Sequence, residues 1–313
     1  MRIGTFVVLG LMGESGSGKD FSAAWIIQNQ GYVRVGFADV LKRFCQKVFE
    51  FSDESLWGDP KFRNEKVCPC NPDNDTLSSD SFFLGPRWDK ALKNFTENVD
   101  EFIDSLPLIV EEKADYRGFL KRWFWECENR SERKLISPRL ALQLLGTEYG
   151  RGFKQTLWSD HVFEKIIPMV EMGYPYGAKS GLGRHCSQML ENVRSRDRGV
   201  IITDVRFRTE LEAIQGRGGY VIKIVRLAHK DKENEAEKAG IAGHASEAEQ
   251  RDIPDEAYDV VLEMGEGADN VYPRLEKMFE EKEWELRNTE SEKGSSTEPS
   301  PRKKDPTGDT SKS

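Results

Sequence analysis

The residues best suited to chemistry lie in the stretch Gly13-Glu-Ser-Gly-Ser-Gly-Lys-Asp20. Four residues separate Gly13 from Gly18-Lys19, the spacing of a P-loop. In that motif backbone N–H groups at a helix N-terminus cradle phosphates and the lysine reaches the outer ones. Gly13, Glu14, Ser15, Gly16, Ser17, Gly18 and Lys19 are therefore the candidate phosphate cradle. Asp20 stands where a serine or threonine commonly offers its hydroxyl to Mg2+. A carboxylate there can hold the metal directly or through water, and it also brings negative charge close to the phosphates. The plainer alternative, a glycine turn beside a chance lysine, does not account for the apolar run before the loop and the helical pattern after it.

A second constellation lies in Ser137-Pro-Arg-Leu-Ala-Leu-Gln-Leu-Leu-Gly146. Ser137 suits an N-cap, Pro138 the first helical position and Gly146 the C-terminal stop. Arg139 and Gln143 are four apart and share one face of this otherwise apolar helix. The arginine is suited to clamp a phosphate with two donors, and the amide to meet a base edge. The alternative is that both merely extend to solvent at the rim of the helix. Thr147-Glu-Tyr-Gly-Arg151 follows, and Trp158 lies one loop further on. The third constellation is Gly199-Val-Ile-Ile-Thr-Asp204, an apolar run ending in an acid, with Arg206 next and Thr209-Glu-Leu-Glu212 opening a helix. An acid at the carboxyl end of a buried strand is placed to support Mg2+.

These groups need a scaffold, and the apolar patterning describes one. Strand patterns occupy residues 5–12, 31–37, 199–204, 220–226 and 258–264, with helical patterns between them and a last helix over 271–284. Such alternation predicts an α/β fold with five parallel strands and helices on both faces. Lys42 and Arg43 fall in the first turns of the helix after the second strand, at the edge where open parallel sheets build sites. They are read either as contacts to a second anion or as a solvated face.

Two long stretches, about 53–133 and 173–198, interrupt the pattern as insertions. The first is less orderly, with a loop-forming Cys68-Pro-Cys70 segment, Pro107 breaking an acidic run, and an aromatic and basic run from Tyr116 to Trp125. That run resembles a base-stacking platform, but a helix packed on the core accounts for it better. The second, Gly-rich and basic with His185, reads as a mobile loop. The charged segment 230–249 is either a water-excluding lid or an exposed linker helix.

Composition narrows the partners. A net charge of −8 over 313 residues argues against holding nucleic acid by bulk electrostatics and suits a small anionic substrate. The N-terminal apolar run is too short to span a bilayer. Five scattered cysteines point to reduced thiols and a cytoplasmic setting. From residue 288 to 313 the chain has almost nothing apolar and is expected to be a disordered tail. Whether the chain forms a homodimer is left open by the sequence.

With GESGSGKD, FADVLK, SPRLALQLLGTEYGR with Trp158, and VIITDVRFRTELEAI in this order, the chain resembles the viral-type deoxynucleoside monophosphate kinases of the P-loop nucleoside monophosphate kinase class. The resemblance covers residues 5–50, 135–165 and 199–284. It implies a three-layer P-loop kinase domain over residues 1–287, with a helical acceptor-binding insertion and a lid. It also implies phosphate transfer from ATP, with Mg2+, to a deoxynucleoside monophosphate, in the host cytoplasm for a viral protein. The family loop also tends to end Gly-Lys-Asp, which accommodates Asp20. The implied acceptor residues are Arg139, Gln143, Gly146, Thr147, Glu148 and Arg151, with Lys42 beside them. The strand-end motif matches at Asp204, Arg206 and Glu210. Catalytic charge would come from Lys19, Arg139, Arg151 and Arg206, and metal ligation from Asp20 and Asp204. Two rivals are a phosphomevalonate-kinase-like enzyme, which also carries Gly-Lys-Asp, and a P-loop ATPase or nucleotide switch.

The tail yields a first prediction. Truncation after Leu286 is expected to leave melting temperature and turnover unchanged, because nothing apolar beyond it can join a core. A large drop in melting temperature would show that the tail packs.

Overall fold

The structure is a computed structural model, and it describes residues 6–14, 17–58, 60–70, 84–132, 135–174, 176, 199–226, 245–265 and 268–281. The expected tail, most of the 173–198 insertion and the first part of the 230–249 segment lie outside these residues. Five strands, β1 (Val7–Met12), β2 (Tyr32–Val35), β3 (Gly199–Val205), β4 (Tyr220–Arg226) and β5 (Val260–Met264), form one sheet in the order β2-β3-β1-β4-β5. Every pairing is parallel. This is an α/β fold with a five-stranded parallel sheet flanked by helices, consistent with a P-loop kinase fold.

The strands read as near-continuous apolar runs because both faces are covered. Alternate residues go to opposite sides. Leu9, Leu11, Ile201, Ile222 and Ile224 pack with helices α1 (Lys19–Gln30) and α12 (Ala268–Glu280). Met12, Val200, Ile202, Val205 and Val221 pack on the other face with α2 (Asp39–Phe49) and α10 (Arg208–Gln215). The strand β5 begins two residues after Tyr258, because Asp259 is used otherwise. Its Oδ2 accepts from Val221 N at 2.8 Å and Gln215 Nε2 at 2.9 Å, pinning the entry of β5 against β4 and α10.

The stretch read as less orderly is largely helical. It contains α3 (Asp53–Trp57), α4 (Pro60–Asn64), α5 (Leu84–Ser105) and α6 (Val110–Arg130). Pro107 does not disrupt an element; it falls in the turn between α5 and α6. Tyr116, Leu120, Trp123, Phe124 and Cys127 recur at helical spacing on α6 and are all buried, so the aromatic run is a core face. Phe44 of α2 stacks on Phe102 of α5 at 4.0 Å between centroids, and Phe49 meets Trp123 edge-on at 5.6 Å. These contacts fasten the insertion to α2 and hence to the sheet. The thiols of Cys68 and Cys70 donate to the carbonyls of Pro69 and Val48, and burial pushes both upward.

The helix at Ser137 starts as expected. Ser137 Oγ accepts from Leu140 N at 3.2 Å, and Pro138 opens α7 (Pro138–Gln143). It does not stop at Gly146. The chain continues as a π-helix from Leu144 to Arg151. Gly146 serves close packing instead: a Cβ there would lie 3.2 Å from Leu41 Cδ1, and its carbonyl accepts from Trp158 Nε1 at 2.8 Å. Gly150 has the same reason, since a Cβ would come 2.1 Å from the Trp158 ring. Wide turns of this kind recur near functional sites.

His161, at the end of α8 (Leu157–His161), ties this region to α5. Its Nδ1 lies 3.2 Å from the Ser105 carbonyl, which can only accept, so Nδ1 carries the proton. Burial lowers its pKa from 6.5 to about 4, opposed by that hydrogen bond and aided by Arg43 and Lys165. Because the folded value lies below the unfolded one, this contribution is intact above about pH 6.5 and is lost as pH falls toward 4. The loss is on the order of 3 kcal/mol at most. Urea unfolding of wild type and His161→Gln across this window is expected to give a stability gap that narrows as pH falls. A constant gap would show that His161 does not titrate differently on folding.

Candidate functional site

The carboxyl ends of β1, β2 and β3 converge where the strand order turns back around β1, the place where open α/β sheets bind ligands. The glycine loop leaves β1 there. Gly13 has φ 152°, and a Cβ would lie 2.4 Å from Ile224 O, so a side chain cannot fit between the loop and β4. Gly18 has φ 95°, left-handed, and caps α1. Ser17 N donates to Glu14 O at 3.2 Å, closing the turn. Lys19 Nζ donates to the carbonyls of Gly13 at 2.6 Å and Glu14 at 2.8 Å, which holds the ammonium over the loop. Burial lowers its pKa; Asp20, Asp204 and Glu14 oppose the shift and Arg206 adds to it. Lys19, Asp20, Asp204 and Arg206 thus share one electrostatic neighbourhood. Ser15 and Gly16 lie outside the described residues.

Asp204, at the end of β3, reaches across to β2. Its Oδ1 accepts from Phe37 N at 2.8 Å and its Oδ2 from Ala38 N at 2.9 Å, at the turn that opens α2. Beside it lies a buried pair: Arg34 Nη1 donates to both Asp39 oxygens, at 3.0 and 2.8 Å, with the two residues 7% and 1% exposed. Gly36 makes room, because a Cβ there would approach Arg34 Nη2, Asp39 Oδ1 and Asp204 Oδ2 at 3.0 to 3.1 Å. Tyr176 Oη donates to Asp39 Oδ2 at 3.5 Å, and the Arg43 guanidinium lies 5.0 Å from the Tyr176 ring centroid. The start of the second insertion therefore reaches the site.

Lys42 is not on a solvated face. It is 7% exposed and faces Asp39, Arg34, Arg63 and Asp204, with its Nζ 5.8 Å from the Trp57 ring centroid. Burial lowers its pKa to about 8, against the pull of Asp39. Arg43, its neighbour in sequence, is exposed.

Glu210 organises the turn after β3. It is buried, and its Oε2 accepts from Arg206 N at 2.8 Å and Phe207 N at 3.2 Å. Burial pushes its pKa up to about 7, opposed first by the bond from Arg206 N, with the Asp204 charge adding to the rise and Arg151 opposing it. Arg151 Nη1 donates to Thr209 Oγ1 at 3.1 Å, and its guanidinium covers the Phe207 ring at 3.4 Å. Burial lowers the Arg151 pKa, with Glu210 and Glu249 opposing.

The remaining sequence candidates spread outward. Arg139 is exposed and donates to Asn64 Oδ1 of α4 at 3.1 Å, while Gln143 and Thr147 are half-buried. Glu148 is exposed and accepts from Arg130 of α6 at 3.4 Å. Trp158 is buried, its indole N–H spent on Gly146. At the end of the charged 230–249 segment, α11 (Ala245–Asp252) sends Arg251 Nε to Glu14 Oε1 at 3.4 Å, and Glu249 Oε1 accepts from Arg208 N at 2.9 Å. That end of the segment touches both the glycine loop and the β3 turn. Sequence reasoning did not pick out Arg34, Asp39 or Tyr176. An arginine and an aspartate flanking Val35-Gly-Phe-Ala38, in register to turn inward, were the available signal.

No known family profile matches the chain. The chain is similar to a protein of Acanthamoeba polyphaga mimivirus named "Putative deoxynucleotide monophosphate kinase", at 25% identity over 275 residues, 86% of this chain and 94% of that protein. Together with the fold, the likeness supports a kinase-like, nucleotide-binding function. Among the described residues no helix is long and apolar enough to cross a membrane.

Asp204 gives a prediction that separates its scaffold role from any metal role. Asp204→Ala, measured by urea unfolding in a metal chelator, is expected to lose on the order of 2 kcal/mol, because two backbone N–H groups lose their acceptor. An unchanged stability would reduce Asp204 to a ligand-binding group alone.

Proposed function

We propose that the chain transfers the γ-phosphate of ATP to a deoxynucleoside monophosphate, giving a deoxynucleoside diphosphate and ADP. The observation that carries this reading is the pair of cationic sites on either side of Asp204. On one side stand the glycine loop, Lys19 and Arg206; on the other, buried Arg34 and Lys42. A single phosphate site suits a switch that hydrolyses its nucleotide. Two beside one carboxylate suit transfer. The mimivirus relative's name agrees with a nucleotide acceptor, as does an amide, Gln143, on the helix whose Arg139 meets α4.

In the transfer, the bond from the γ-phosphorus to the bridging oxygen of ADP breaks as a bond forms from an acceptor phosphate oxygen. The acceptor is already ionised, so no catalytic base is needed, and catalysis rests on positioning and charge. Loop N–H groups and Lys19 hold the β- and γ-phosphates. Arg206 and Arg151 neutralise charge on the moving group, and Glu210 fixes the turn that carries Arg206. Lys42 and Arg139 hold the acceptor, with Gln143, Thr147 and Glu148 along the same helical segment.

The residues fit Mg2+. Exposed Asp20 would approach it, and Asp204, whose oxygens also accept backbone N–H groups, would do so directly or through water. Bound there, the ion would neutralise phosphate charge.

The test is to incubate purified protein with ATP, Mg2+ and each common dNMP and NMP, reading ADP and the diphosphate product. Acceptor-dependent diphosphate formation is expected, and Lys19→Ala is expected to reduce it by at least about 100-fold while the protein stays folded. Phosphate release indifferent to every nucleoside monophosphate would overturn the reading.

A further inference from the structure

Among the described residues, the proposed acceptor side contains a buried donor without a partner, Trp57 Nε1, next to the buried Lys42. Trp57 closes α3, whose start is fixed by Ser52 Oγ accepting from Ser55 N at 3.2 Å. Its side chain is buried, yet the indole Nε1 has no hydrogen-bond partner among the described residues. Beside it lies the Lys42 ammonium, in a buried residue, with its Nζ 5.8 Å from the Trp57 ring centroid. Two other buried indoles are treated differently: Trp123 Nε1 donates to Ala141 O at 3.0 Å, and Trp158 Nε1 to Gly146 O at 2.8 Å.

Leaving a buried donor unmatched is costly, and folded proteins satisfy nearly all of them. The ring contact does not remove the cost, since at 5.8 Å it lies at the far limit of a cation–π interaction and uses neither N–H set. Nor does Asp39 supply the acceptor: among the described residues its oxygens accept from Arg34 and Tyr176. A partner for both groups would carry several acceptor oxygens, and it would meet Lys42, Arg34 and Arg63 set against the carboxylates of Asp39 and Asp204. A phosphate monoester has that chemistry.

We propose that Trp57 Nε1 and Lys42 Nζ together seat the phosphate of the acceptor, so that α3 of the first insertion forms a wall of the acceptor site. The inference rests on the reading that these strand ends take a phosphate acceptor. It adds a residue from the stretch that had no motif. The insertion also meets the helix bearing Arg139, where Asn64 of α4 accepts from that arginine.

The experiment uses the full chain, Trp57→Phe and Lys42→Met. Phenylalanine keeps an aromatic ring and deletes the N–H; methionine keeps most of the stem and deletes the charge. Binding of dTMP, dGMP and inorganic phosphate is measured by calorimetry without ATP, alongside ATP binding and melting temperature. Trp57→Phe is expected to weaken the nucleoside monophosphates and phosphate roughly tenfold, and Lys42→Met roughly 100-fold, with ATP affinity unchanged. Unliganded Lys42→Met is expected to melt at or above the wild-type temperature, since a desolvated charge is removed. Equal acceptor binding by wild type and Trp57→Phe, or a loss confined to ATP, would overturn the proposal. If phosphate binds through Trp57 and Lys42 while no deoxynucleoside monophosphate is phosphorylated, the site stands and the kinase reading fails. A Lys42→Met that does not fold leaves Trp57→Phe to decide.

Discussion

The site depends on one carboxylate. Asp204 ends β3 and accepts the first two backbone N–H groups of the turn that begins α2, so the end of one strand sets the start of the helix after another. Through that turn it fixes Asp39, which holds Arg34, and Lys42 one helical turn further on. On its other side it contributes to the field around Lys19. The surroundings are poorly solvated: burial lowers the pKa of Lys19 and Lys42, with Asp204 opposing at both, and raises that of Glu210, with Asp204 adding to the rise. Such opposed shifts are characteristic of sites arranged for ligands rather than for stability.

The aromatic insertion gives the site rigidity. Phe44 and Phe49 on α2 lie against rings of α5 and α6, so the helix bearing Lys42 is clamped between the sheet and the hairpin. Close approach is bought by glycine at Gly146 and Gly150, where the wide turns of the π-helix bring Trp158 and Leu41 into contact with backbone. The same packing brings α4 and α7 together, and with them Asn64 and Arg139.

Much of this was legible in the sequence. The strands, the glycine loop and Asp204 at the end of β3 could be read because period-2 and continuous apolar runs are local signals, and because Gly13 and Gly18 mark backbone that other residues cannot adopt. Ser137 and Pro138 announced α7 for the same reason. The stop at Gly146 failed because a glycine needed for tertiary approach looks the same in sequence as one that ends a helix. The hairpin of α5 and α6 was hidden by Pro107, whose place between two helices depends on the fold. Arg34, Asp39, Tyr176 and Trp57 were missed for a further reason: their meaning lies in partners far along the chain, or in the lack of one.

The central claim is that two anion sites flank Asp204 and are occupied together. The most direct measurement is binding of a bisubstrate analogue, adenosine and a deoxynucleoside joined by an oligophosphate chain. The account predicts affinity above that of ATP or a deoxynucleoside monophosphate alone, with the analogue displacing both. An analogue that binds no better than ATP and leaves the monophosphate bound would contradict it.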